Sequence, residues 1–335
     1  MKIVRFPLKP MSHFHLGEIA QDEKSNLATT SAYPHSDTLF SSLVNSYAQA
    51  FESIDVEVFI DDFKDRSTVI SSMFYYLNVE GAFIYFLPKP LSYNTQSIKR
   101  DYYKKFKKIE FISTSVWGTL TDPNDIFNPC ICSIIQDKFV VLIDEIDQKL
   151  VNEMRIYSKI TQPKNPFRKE DVKQSIYFET DIEIADNTKI EKSIVIGYYF
   201  LYASAQEVRL KEAIYLMSMS GIGGGRSTGT GVLGNPEYDN NDIFNFPGIQ
   251  TNSNCCISMA IPDNPLEFKQ FELYETKIRG GRKMENGQQL FIRMIKEGAI
   301  VSGNAKGKLV EIGTDDHGNK VVRNGLCFIL PLNTN

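Results

Sequence analysis

Ser220-Gly-Ile-Gly-Gly-Gly-Arg-Ser-Thr-Gly-Thr-Gly-Val-Leu-Gly234 concentrates seven of the chain's 21 glycines in its last 14 residues. Glycine at that density costs backbone entropy, so the loop needs positive φ angles or close approach of its backbone to a ligand. It follows a helical pattern over residues 206–218, where Leu210, Ala213, Ile214 and Met217 recur at i, i+3, i+4 and i+7. Far upstream, a strand over residues 3–8 leads through a polar loop to a second helix near Ser36. Ser36 reads as its N-cap, with Asp37 in the first turn, and Leu39, Phe40, Leu43, Val44, Tyr47 and Phe51 form its apolar face. Further strands are expected at 82–87, 109–112, 139–143, 176–184 and 194–202. Strand, helix, strands, strand, helix, strand is the order of a ferredoxin-like split β-α-β unit with inserted hairpins.

At 335 residues the chain is long enough for about two domains. The polar, turn-rich Gly234-Asn-Pro-Glu-Tyr-Asp-Asn-Asn-Asp242 marks a boundary between residues 1–235 and a strand-rich unit over 250–335. Strands in that unit are expected near 257–261, 290–295, 308–312 and 326–330, with a hairpin turn at Gly313-Thr-Asp-Asp-His-Gly-Asn319. The fold class is α+β.

A composition 42% hydrophobic, 12% aromatic and 23% charged is that of a globular chain, and excludes general disorder. Thirty-seven Lys and Arg against 41 Asp and Glu leave a net charge of −4, so any nucleic-acid site must be local. Five cysteines without C-x-x-C spacing, and no secretory leader or long apolar run, point to reduced thiols in a cytoplasmic protein.

Three ligand readings compete for the glycine loop. A phosphate-binding Walker loop would need Gly where Ser220 stands and Lys where Arg226 stands, and the Gly229-x-Gly231-x-x-Gly234 match to a dinucleotide fingerprint opens no helix. The third is a backbone cradle in which free N–H groups, Arg226, Ser227 and Thr228 hold a phosphodiester chain. An unliganded connection is the alternative to all three. Lys99-Arg-Asp-Tyr-Tyr-Lys-Lys-Phe-Lys-Lys108 is either a basic, base-stacking patch or an amphipathic segment with its rings turned inward. Lys164, Arg168, Lys169 and Lys173 suit either a projecting basic hairpin or a solvated loop. No coherent catalytic set emerges: His35, Ser36 and Asp37 are adjacent on one helix start and cannot converge as a triad. His13 and His15 lack an identifiable third metal ligand.

His35-Ser-Asp-Thr-Leu-Phe-Ser-Ser-Leu43, Leu87-Pro-Lys-Pro-Leu91, the loop Ser220–Gly231, Lys277-Ile-Arg-Gly-Gly281 and Met294-Ile-Lys-Glu-Gly298 occur in an order that resembles one family. It is the RAMP-superfamily subunit that caps the guide-RNA 5′ end in type III-A (Csm) CRISPR interference complexes. The resemblance implies two ferredoxin-like, RRM-related domains and a non-catalytic RNA-binding role in antiviral defence, without cofactor or metal. Its partners would be the CRISPR RNA 5′ repeat tag, the large polymerase/cyclase-like subunit and the backbone RAMP subunit. Carried onto this chain, it implies RNA contacts from Gly221, Gly223, Gly224, Gly225, Arg226, Ser227, Thr228 and Gly229, and from Ser36, Asp37 and Thr38. Lys164, Arg168 and Lys169 would sit on a thumb hairpin. The family loop commonly reads G-G-K-R-S-S-G; here Gly225 replaces one cation of the pair. Some relatives cleave guide precursors, so a metal-independent endoribonuclease using His35, His13 or His15 is the alternative. A nucleotide-binding enzyme built on the glycine loop is a third possibility.

Overall fold

The computed structural model describes residues 1–18, 29–93, 98–164, 177–240, 243–246, 253–280, 291–314 and 320–332. Strand β1 (Lys2–Pro7) is followed by the short β2 (His13–Phe14), then by helices α1 (Ser36–Ala48) and α2 (Ser53–Lys64). A meander of β3 (Thr68–Ile70), β4 (Phe74–Val79) and β5 (Ala82–Pro88) leads to α3 (Tyr103–Lys108), β6 (Phe111–Ser113) and α4 (Thr114–Thr119). Next come β7 (Cys132–Ile135), β8 (Phe139–Leu142), α5 (Gln148–Glu153) and the hairpin of β9 (Tyr157–Lys164) with β10 (Tyr177–Ile184). The long β11 (Ile194–Ser204), α6 (Glu207–Ser220) and β12 (Glu237–Asp239) close the first unit.

Nine strands form one sheet in the order β12-β1-β11-β4-β5-β6-β8-β7, with β3 also on β11. Its first four strands are antiparallel neighbours, and α1 follows β1 while α6 follows β11. Taking β1, β4, β11 and β12 as strands one to four, their order is 4-1-3-2, that of the split β-α-β unit. The second strand is therefore the β3–β4 stretch, which the sequence pattern missed; residues 82–87 continue the meander beyond it. The pattern missed α2 as well, because only Phe59, Asp62 and Phe63 of that helix are buried.

The second unit holds β13 (Asn254–Cys256), the short α7 (Pro265–Phe268), β14 (Phe271–Leu273), β15 (Thr276–Arg279) and β16 (Ile292–Ile295). It ends with β17 (Ala299–Val301), β18 (Gly307–Thr314), β19 (Lys320–Leu326) and β20 (Ile329–Pro331). The sheet order β14-β17-β13-β20 repeats the 4-1-3-2 pattern, and the β18–β19 hairpin stands where a second helix would lie. The strand expected at 257–261 lies earlier, at β13, and that expected at 326–330 divides between β19 and β20. Strand β12 lies beyond residue 235 yet pairs with β1, so the first sheet passes the expected boundary.

Helix α1 buries Leu39, Phe40, Leu43 and Tyr47, and α6 buries Leu210, Ala213, Ile214 and Met217, as their spacing predicts, while Phe51, expected on the α1 face, lies past the helix end and is exposed. Under them the sheet core is rich in tyrosine, whose hydroxyls need partners once buried. Tyr75 donates to the Ala32 carbonyl at 2.6 Å, Tyr199 to the Phe86 carbonyl at 2.8 Å, and Tyr198 to the Tyr75 oxygen at 3.2 Å. The core is continuous between the units, joining Leu39 and Phe74 to Cys255, Ile257, Ile300 and Leu330. All five cysteines are free. Among the described residues no helix is long and apolar enough to cross a membrane.

Candidate nucleic-acid interface

The glycine loop leaves α6 at Gly221 and is pinned onto the β2 strand edge. Gly224 N–H donates to the His15 carbonyl at 2.8 Å, Gly231 N–H to the His13 carbonyl at 2.7 Å, and Ile222 N–H to the Gly231 carbonyl at 2.9 Å. Two glycines are sterically required. Gly223 has φ +87° and a Cβ there would lie 2.4 Å from the His15 oxygen; Gly231 has φ +78° and its Cβ would lie 2.1 Å from the Ile222 oxygen.

Once pinned, the loop lifts a single 3₁₀ turn, Arg226–Thr228, between the left-handed Gly225 and Gly229. Gly225, Arg226, Ser227, Thr228 and Gly229 are all exposed. The amides of Gly225, Arg226 and Ser227 make no hydrogen bond to another described residue. Consecutive free N–H groups beside an exposed guanidinium form an anion-binding concavity. Gln49, Ser220, Gly223, Gly224, Gly225, Arg226 and Ser227 line an open hollow of about 570 Å³ at this point. Gln49, exposed at the C-terminal end of α1, carries no sequence signal; the packing of α1 on α6 brings it there. Gly221 does not face the hollow: it is buried, and its N–H bonds the Met217 carbonyl to end the helix.

The expected contacts at the start of α1 are corrected. Ser36 and Asp37 are fully buried against the second unit. His35 holds the N-cap position, without a side-chain cap, and Ser36 begins the helix. The Ser36 hydroxyl accepts from Met259 N–H at 2.9 Å. Arg279 grips Asp37 with two bonds, Nε to Oδ2 at 2.8 Å and an Nη to Oδ1 at 3.2 Å, and also donates to Thr38 Oγ1 at 2.7 Å. Arg323 adds a third bond to Asp37 at 2.7 Å. Burial alone would raise the Asp37 pKa, but the charges of Arg279 and Arg323 outweigh it and hold the carboxyl well below the usual range. The physical reason for the correction is distance in sequence: two arginines more than 240 residues away cover the helix start.

His35 lies in the same junction. Its Nδ1 is 2.8 Å from Glu297 Oε1, and its Nε2 is 3.1 Å from Lys277 Nζ. The lysine can only donate, so Nε2 carries the lone pair and Nδ1–H donates to Glu297. Burial, reinforced by Arg279 and Lys277, lowers the His35 pKa and keeps the ring neutral. Glu297 also accepts from Ser72 and from Tyr33; burial opposes its ionisation, but the hydrogen bonds from His35 and Ser72 favour the carboxylate and lower its pKa.

The β9–β10 hairpin runs in register from Tyr157↔Ile184 to Lys164↔Tyr177. Lys164 lies 3.5 Å from Glu179. Arg168, Lys169 and Lys173 lie outside the described residues, as do Asp315, Asp316 and His317 between β18 and β19. In the Lys99–Lys108 segment the rings turn inward: Tyr102 stacks on Phe127 at 4.4 Å and Phe106 is buried, while the lysines face solvent.

Residues 249–332 match the family model for the CRISPR Csm4 C-terminal domain. The second unit is thus similar to the Csm4 C-terminal domain. A curated relative, the CRISPR system Cms protein Csm4 of Methanocaldococcus jannaschii, is 25% identical across 99% of this chain and 98% of its own. Among solved structures, a chain of the Csm3–Csm4 subcomplex of a type III-A CRISPR-Cas interference complex superposes with a TM-score of 0.72. It is 22% identical and is covered over its full length by 99% of this chain. A chain of a Csm1–Csm4 cassette in complex with pppApA superposes with a TM-score of 0.57 at 20% identity, over 100% of this chain and 99% of that one. The Csm4-like chain thus has the α+β fold that the ordered motifs resemble, and that family resemblance is borne out.

Proposed function

We propose that this chain is the non-catalytic RNA-binding subunit of a type III-A CRISPR-Cas interference complex. It holds the repeat-derived 5′ tag of the CRISPR RNA and docks the large polymerase/cyclase-like subunit beside a backbone RAMP subunit. The observation that carries the reading is the glycine loop, whose unbonded amides and exposed Arg226 stand over a hollow at the end of α6. Such a site suits the sugar-phosphate backbone of a single strand, leaving its bases free to splay and be read elsewhere. Support for binding rather than cleavage comes from His35, the first general acid or base of the nuclease alternative, which is buried and bonded at both ring nitrogens.

The test is to purify the tagged chain from its native cell, sequence its RNA and identify its proteins. CRISPR RNAs sharing one 5′ repeat sequence, with a large polymerase-like subunit, are expected; absence of both overturns the assignment. Purified chain incubated with repeat RNA in chelator is expected to leave it intact. Cleavage lost on mutation of His13 or His15 would establish the endoribonuclease instead.

A further inference from the structure

Beneath the glycine loop, β2 and β10 pair antiparallel with His13 opposite Glu183 and Phe14 opposite Ile182. The pleat places Glu179, Asp181 and Glu183 on one face of β10, and the same face receives His13 of β2 and His15 just after it. Donor atoms of His15, Glu179 and Asp181 all lie within 4.8 Å of one another. Asp181 is only 9% exposed, and its buried Oδ1 accepts no hydrogen bond. The nearest imidazole nitrogen, His15 Nδ1, is 3.3 Å from it but lies closer, at 3.0 Å, to the Thr180 carbonyl. A buried carboxylate oxygen with no donor is costly unless a cation reaches it.

Charge on this face points the same way. Glu179, Asp181 and Glu183 supply three negative charges, and Lys164, 3.5 Å from Glu179, supplies one positive charge. His13 bridges Glu183 at 3.1 Å and Asp181 at 3.7 Å, and adds charge only when protonated. Among the described residues, with neutral imidazoles, the balance is two negative charges, which one divalent cation cancels. The geometry points to a divalent-cation site built from His15, Glu179 and Asp181, taking an ion of the Mn²⁺ or Zn²⁺ class. One imidazole with two carboxylates is a mixed nitrogen and oxygen set suited to such ions. Coordination by His15 Nδ1 moves the ring proton to Nε2 and releases the Thr180 carbonyl. The ion would hold the same strand whose His15 carbonyl anchors Gly224, stiffening the floor of the loop.

Metal uptake is measured on the full chain, chelator-treated and free of RNA, so that its result is independent of the RNA-binding reading. Mn²⁺ is followed by electron paramagnetic resonance of the free ion and Zn²⁺ by calorimetry. One saturable ion per chain is expected, and Mn²⁺ should broaden the His15 ring resonances. Asp181→Asn and Glu179→Gln should each weaken uptake at least about tenfold, the lower end of what loss of even an outer partner costs a metal site. If Asp181→Asn does not fold by circular dichroism, Glu179→Gln, at a partly exposed position, decides alone. No saturable uptake, or uptake unaltered in the folded variants, overturns the site.

Discussion

Arg226 stands on one exposed 3₁₀ turn, and its neighbours Gly225 and Ser227 offer unbonded amides. Under the proposed function, Arg226→Ala should weaken tag-RNA binding and flatten the slope of log affinity against log salt by about 0.7, the share of one phosphate contact on a single strand. Filter binding over a salt series checks this; an unchanged slope would show that the guanidinium faces no phosphate. Arg279 is the opposite case, a buried cation whose partners Asp37 and Thr38 belong to α1. Arg279→Ala leaves Asp37 half-compensated, and loss of a buried partner costs about 3–5 kcal/mol. Urea unfolding should show that loss, without any requirement for RNA.

Within the glycine loop, backbone geometry matters more than side-chain chemistry. Gly223→Ala places a methyl group 2.4 Å from a carbonyl oxygen at a positive φ, a strain of about 1–3 kcal/mol. The loop should lift from β2, so tag affinity should fall further than it does for Arg226→Ala, while the far-ultraviolet circular dichroism stays unchanged. Wild-type affinity in this variant would show that the pinned conformation is not the binding one. The sequence made this element legible as a loop that demands glycine, because glycine density is local information. It carried no sign of Gln49, whose place beside the loop follows from how α1 packs on α6. Helix α2 was illegible for a related reason: it rests lightly on the fold, and its pattern is mostly solvent-facing.

Across the whole molecule, the two units meet through ionised groups buried at the start of α1. Glu297 and Asp37, both with pKa values lowered in the fold, are ionised there. Because these folded values lie below the unfolded ones, the unfolded chain takes up the protons first as pH falls. Their stabilisation is complete above about pH 4.5 and is lost progressively below it. His35 adds to this from about pH 6.5 downward, since its buried ring stays neutral while the unfolded one charges. Thermal unfolding should therefore move to lower temperature on acidification, in two stages, and His35→Gln should remove the earlier one. A midpoint flat between pH 7 and pH 3 would contradict this.

The sequence by itself determined the α+β class, the apolar faces of α1 and α6 and the conformational demand of the glycine loop. Each of these is written in spacing or composition over a few neighbouring residues. Tertiary structure alone decided that Ser36 and Asp37 face Met259, Arg279 and Arg323. It alone decided that β3 and β4 supply the second strand, and that His15 meets Glu179 and Asp181 beneath the loop. Those pairings join residues from about 115 to about 290 positions apart, and a local pattern carries no information about which distant surface will cover it.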